Sequence, residues 1–236
     1  MHLLRKPLLL ALAIGMTACE QTQLGRNLLP SRPLSYSRNY ARPEAKLPRR
    51  VAMLPLEFDQ VVGETLRDID EIFLMELGKK LRFEVVAITR PELAKIIRRE
   101  HLSSTEPTPP ELLTYLRSHY NADGVLFTEI SSYRPYRPLT IGVRSKLVEL
   151  QNMEILWSAE TVMDAGNIDV SRAARLYAAD QATNPNERSN ESAHAAEMVL
   201  QSPRRFAGFT AYHLYGAIPK PTPVGLKVSE TPPTGK

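Results

Sequence analysis

Residues 121–130 read Asn-Ala-Asp-Gly-Val-Leu-Phe-Thr-Glu-Ile. Asn, Asp and Gly make turns, because Gly tolerates either backbone hand and Asn and Asp side chains bond their own backbone. The run after them is apolar, aromatic and β-branched without helical spacing, so Val125–Ile130 is a buried strand. Downstream, Ile141, Val143 and Leu147 alternate with Arg144 and Lys146. Met153, Ile155 and Trp157 alternate with Glu154 and Ser158 beyond a Gln151-Asn152 turn, which predicts a hairpin over 139–162. Upstream, Val51–Leu56 and Phe83–Ile88 are two further short apolar runs, both strands.

Between those two strands Val62, Leu66, Ile69, Phe73, Leu77 and Leu81 recur at helical spacing. Thr89 ahead of Pro91 and Glu92 starts a second helix with Leu93, Ile96 and Ile97 inward. Leu112, Leu113, Leu116 and Tyr120 mark a third. The order β-α-β-α-α-β-β-β predicts an α/β (α+β) fold: a mixed sheet of about five strands with helices packed on it, ending in an antiparallel hairpin. C-terminal helices follow at 170–179, 191–201 and 204–215, the last crowding Phe206, Phe209, Tyr212, His213 and Tyr215 on one side.

The termini have another character. Residues 1–18 have the charge (Arg5, Lys6) and the apolar run (Leu8 to Ile14) of a secretory signal, too short to span a membrane. Met16-Thr17-Ala18-Cys19 ends it, and Cys19 is the only cysteine among 236 residues. That excludes an intrachain disulfide and a multi-cysteine metal site. Residues 19–50 hold Pro30, Pro33, Pro43 and Pro48 without hydrophobic period and read as a disordered basic linker, ~95 Å long if fully extended. The α/β domain is expected over 51–167, a helical extension over 168–217 and a disordered Pro- and Thr-rich tail over 218–236. Net charge is +4, yet residues 51–236 carry 21 of the 30 basic and 24 of the 26 acidic side chains, a balance of −3. The excess positive charge thus belongs to the leader and linker, and nucleic acid is not an expected partner.

The segment Met16–Cys19 resembles the lipobox of bacterial lipoproteins, in which the cysteine is lipidated and becomes the mature N-terminus; an ordinary signal with a chance cysteine is the competing reading. Glu20, rather than Asp, follows it, which implies the outer membrane, facing the periplasm. The body resembles an envelope lipoprotein superfamily that includes CsgG-type secretion proteins, LpoB-type activators, FlgO-type flagellar lipoproteins and the N-terminal domain of TolB. The residues are Val51-Ala52-Met53-Leu54-Pro55, Ala122-Asp123-Gly124-Val125-Leu126, Tyr133 with Pro135 or Pro138, and Glu154-Ile155-Leu156-Trp157. The resemblance covers about residues 50–163. It implies a non-enzymatic periplasmic domain that works by docking to, or assembling, cell-envelope components, with no catalytic residues and no cofactor.

No phosphate-binding glycine motif, GxSxG elbow or HExxH occurs. Glu191 and His194 form a single E-x-x-H, whereas di-iron bundles need two with further carboxylates. A small periplasmic enzyme would have to assemble distant residues, for example Asp123 with Glu129 and a histidine. Two surfaces are open to binding. Tyr133-Arg134-Pro135-Tyr136-Arg137-Pro138 offers aromatic faces and guanidinium forks on a stiff backbone. Its structural counterpart is a strand connection in which proline blocks edge pairing. The aromatic helix 204–215 is either core or a partner surface. Expected partners are the membrane, through lipid on Cys19, and an envelope protein or cell-wall component contacted by Tyr133, Arg134, Tyr136 and Arg137. A homo-oligomeric CsgG-type pore, with the 139–162 hairpin in the membrane, is the alternative assembly.

Overall fold

Strand β4 (Gly124–Arg134) divides the sheet into a parallel and an antiparallel half. On one side it runs parallel to β2 (Arg50–Met53), with β3 (Glu84–Ala87) parallel beyond. On the other it runs antiparallel to β5 (Thr140–Glu149), followed by β6 (Ile155–Asp164) and β1 (Tyr36–Ala41), each antiparallel to the last. The six-stranded order is β1-β6-β5-β4-β2-β3. Six helices accompany it among the described residues: α1 (Ile69–Gly78), α2 (Arg90–Ile97), α3 (Pro110–Tyr120), α4 (Ile168–Gln181), α5 (Glu191–Gln201) and α6 (Pro203–Gly216). This computed structural model describes residues 36–43, 45–58, 68–181 and 191–220. The signal segment, Cys19, Val62, Leu66 and residues 221–236 of the expected tail lie outside them.

Alternation along the strands sorts side chains into two cores. Val51, Met53, Leu126, Ile141, Val143, Leu147 and Trp157 share one with Phe73 of α1, Val170 of α4 and Phe206, Phe209 and Tyr215 of α6. Ala52, Leu54, Val125, Phe127 and Val148 face the other way against Leu93 of α2 and Leu112 and Leu116 of α3. Trp157, Tyr215, Phe73, Phe206 and Phe209 are fully buried, each worth about 1.5–3 kcal/mol relative to exposure. The expected helix starts hold: Thr89 Oγ1 accepts from Glu92 N–H at 3.4 Å at the head of α2. Asn121 closes α3 in the left-handed region, with its N–H on the Arg117 and Leu116 carbonyls.

Four expectations need correction. The sheet has six strands because residues 36–41, read as disordered linker, add β1 to the edge of β6. Ser37 to Ala41 stay exposed, so this strand is held by main-chain bonding rather than apolar burial, and a hydrophobic pattern could not reveal it. The linker's C-terminal part is also engaged: Leu47 packs on the core and Pro48 is buried. Gly124 is glycine for that reason, since a Cβ there would meet Pro48 Cγ at 2.6 Å. α1 ends at Gly78, and Leu81, read as its inner face, is 86% exposed with φ 51°. Ile218, assigned to the tail, is buried in the main core, to which the helices of 168–217, whose packing the sequence left open, also contribute.

Candidate functional site

The hexapeptide Tyr133–Pro138 sits where β4 ends and turns into β5. It is less of a loop than expected, because β4 continues through Tyr133 and Arg134, paired with Ile141 and Thr140. A register shift between Ile130 and Ser132 lets it do so. Gly142 lies opposite, where a Cβ would come within 2.3 Å of Ser132 Oγ. Tyr133 packs partly against the main core; its hydroxyl is buried without a hydrogen-bond partner among the described residues, and burial raises its pKa above the ordinary tyrosine value. Tyr133 is thus half-buried at the base of the turn.

The other three expected residues project outward. Arg134 is tied down: its Nε donates to the Pro138 carbonyl at 2.9 Å and Nη2 lies 3.5 Å from Asp164 Oδ2. Asp164 Oδ1 in turn accepts from Gly166 N–H at 2.8 Å, and Ala165 N–H donates to the Leu139 carbonyl. These bonds fix the turn's shape from both sides. Arg137 Nη2 donates to Gln201 Oε1 of α5 at 2.6 Å. Tyr136, between the two arginines, is 78% exposed. The structure thus brings Arg134, Tyr136 and Arg137 to one corner, with Gln201 added from 64 residues away.

The second surface considered from sequence resolves as core. Phe206, Phe209 and Tyr215 are buried, and Tyr212 and His213 turn toward α4 and the end of α1. Tyr212 donates to Asp180 Oδ2 at 3.2 Å and Lys80 Nζ lies 3.5 Å over its ring. His213 packs edge-on to Phe209, and burial, with the nearby Lys80 charge second, lowers its pKa to about 4.

The residues tested for catalysis are dispersed. Asp123 Oδ1 and Oδ2 accept the backbone N–H groups of Arg50 and Arg49 at 2.8 and 2.9 Å, a clamp between β2 and β4. Glu129, six residues along the strand and so about 20 Å away, accepts from Arg144 Nη2 at 2.6 Å and from Ser103 Oγ at 3.3 Å. His101 Nδ1 contacts Glu57, His119 stacks on Tyr115, and His194 is exposed. Among the described residues no group of three or more His, Cys, Asp or Glu is arranged to hold a metal ion.

One surface carried no signal in the sequence. A trough of about 320 Å³ crosses β1, β6 and β5, lined by strand residues that include Arg38, Tyr40, Arg144, Lys146, Ser158 and Glu160. Arg144 is already bound to Glu129 and Lys146 Nζ to the Ser104 carbonyl at 2.7 Å. The hairpin considered for a pore is therefore built into the sheet, with Trp157 buried on one face and charged residues on the other. A lipid-facing strand would need an apolar outer row instead.

No protein-family model matches the chain, and no curated protein does. Solved structures similar to it include the PelC dodecamer from Paraburkholderia phytofirmans, at 16% identity and a TM-score of 0.37, covering 73% of this chain and 96% of that one. Lipoprotein GNA1162 from Neisseria meningitidis is similar at 12% identity and a TM-score of 0.37, covering 58% and 100%. The LpoB C-terminal domain from Salmonella enterica follows at 15% identity and a TM-score of 0.33, covering 51% and 86%. LpoB is of a type the sequence resemblance already named. At these scores the likenesses carry no functional argument.

Proposed function

We propose that this chain is a non-enzymatic bacterial outer-membrane lipoprotein whose α+β body docks onto another cell-envelope component. Cys19 is the lipid attachment point, and the corner carrying Arg134, Tyr136 and Arg137 is the contact. The observation that carries this reading is an exposed tyrosine on a turn braced from both sides, by Arg134 on Pro138 and by Arg137 on Gln201. A pre-shaped turn loses little entropy on binding, and aromatic and arginine side chains dominate interface energetics.

The β1 strand bears on reach. With Tyr36–Ala41 paired into the sheet, the connection from Cys19 to the body is residues 20–35, roughly 50 Å at full extension instead of ~95 Å. Crosslinking in intact cells, followed by capture of this chain, tests the reading by comparing wild type with Tyr136→Ala/Arg137→Ala. A discrete complex with a second envelope protein, lost in the variant, is expected. A ladder of self-crosslinks unchanged by the substitutions contradicts docking through this corner.

A further inference from the structure

Resting on the docking reading, the corner's charge arrangement specifies the chemistry of its partner. Four of the arginines at this end of the sheet and helices differ in what neutralises them. Arg134 lies against Asp164, and Arg204 Nη1 is 2.9 Å from Asp68 Oδ2. Arg137 and Arg205 have only neutral acceptors among the described residues: Gln201 Oε1 at 2.6 Å and Met198 Sδ at 3.6 Å. The nearest carboxylate in this chain of contacts is Glu197, which accepts from Gln201 Nε2 at 2.6 Å rather than from either arginine. Each guanidinium keeps most of its donor fork free for a bidentate carboxylate.

Both arginines reach the same helix: Arg137 bonds Gln201 and Arg205 contacts Met198, both on α5. Met198 and Gln201 are three apart on α5, so their Cβ atoms lie about 5–6 Å from each other on one face. An extended chain projects alternate side chains from one face, so one segment can offer carboxylates to both arginines. Beside the forks, Tyr136 is 78% and Met198 36% exposed, an apolar rest for a side chain on the same face.

We infer that this corner binds an extended acidic segment of the partner protein: its carboxylates engage Arg137 and Arg205, and an apolar side chain of the same segment lies on Tyr136 and Met198. An anionic membrane surface fits less well. Such surfaces select clusters of four to eight cations, whereas Asp164, Glu197 and Asp68 stand among these arginines.

Fluorescence anisotropy on the full chain in detergent, with labelled Ser-Glu-Ser-Glu-Ser-Leu-Ser and its Gln-for-Glu counterpart, tests this. The acidic peptide should bind, weaken at least tenfold with Arg137→Gln/Arg205→Gln, weaken about threefold with Tyr136→Ala, and release as salt is raised. Equal binding of the Gln peptide, or indifference to the double substitution, overturns the inference. So does binding of phosphatidylglycerol vesicles that depends on Arg137 and Arg205 while the peptide does not bind. If cellular crosslinking through Tyr136 and Arg137 succeeds but neither peptide binds, only the acidic chemistry fails and docking stands. If that crosslink is also absent, both fail.

Discussion

The Tyr215 hydroxyl lies 3.0 Å from Thr128 Oγ1, joining the last helix to the central strand in a site with no solvent access. Thr128 Oγ1 is also 3.0 Å from Ser145 Oγ, which donates to the Phe127 carbonyl at 2.7 Å. Buried polar groups are tolerable only when satisfied, and here three hydroxyls satisfy one another between β4, β5 and α6. The Tyr215 ring meets Phe73 of α1 edge-on at 6.0 Å. One residue therefore ties helix, helix and sheet together.

Tyr215→Phe keeps the ring and removes one bond, leaving Thr128 with Ser145, and should cost about 1 kcal/mol in urea unfolding. Tyr215→Ala opens a cavity as well and should cost about 3–5 kcal/mol. Similar losses for the two variants would mean that the hydroxyl, not the ring, fixes α6.

Acid should loosen the contact between α6 and the end of α1. His213 has its pKa lowered to about 4 by burial and by Lys80, against an ordinary value of 6.5. Between pH 6.5 and 4 the unfolded chain then binds more protons than the folded one at this position, so its contribution to stability is complete above 6.5 and declines as pH falls through that window. Thermal unfolding of wild type and His213→Gln from pH 7.5 to 4 checks this. The variant should show a shallower decline, by a margin on the order of 2 kcal/mol at pH 4.

Strand β1 should be separable from the fold. Arg42 N–H donates to the Leu156 carbonyl at 2.9 Å, so by the alternation of antiparallel ladders Tyr40 also turns its N–H toward β6. Tyr40→Pro removes that bond. Hydrogen exchange of residues 36–42 should accelerate, while the global unfolding midpoint moves little because the side chains of residues 37–42 stay exposed. A large drop in the midpoint would show β1 to be integral to the core.

Asp123, considered for catalysis from the sequence, is expected to act through its clamp on Arg49 and Arg50. Asp123→Ala should lower stability by about 1 kcal/mol, the two lost bonds being partly replaced by water. Asp123→Asn, which retains one acceptor oxygen, should lose about half of that.

What the sequence disclosed follows from what holds each element. Val125–Ile130 was legible because it lies between two cores, so its opening Val-Leu-Phe is apolar on both faces; the helix at 90–97 carried a start signal and an inner face, and that at 110–120 an inner face. β1 was not legible, because Ser37 to Ala41 rely on backbone pairing with a strand more than 110 positions away. Tyr133 and Arg134 read as loop because Ser131 and Ser132 interrupt the apolar pattern, although β4 continues through them. Tyr136 and Arg137 were visible as residue types, but Gln201, Met198 and Arg205 come from distant helices and have no local motif.

The most direct test of the account replaces Tyr136 with a photocrosslinking residue in cells, with Leu81 as a control that is equally exposed but lies beyond the end of α1. The account predicts one discrete heterologous adduct from position 136 and none from 81. Adducts of the same kind from both positions, or none from 136, would contradict it.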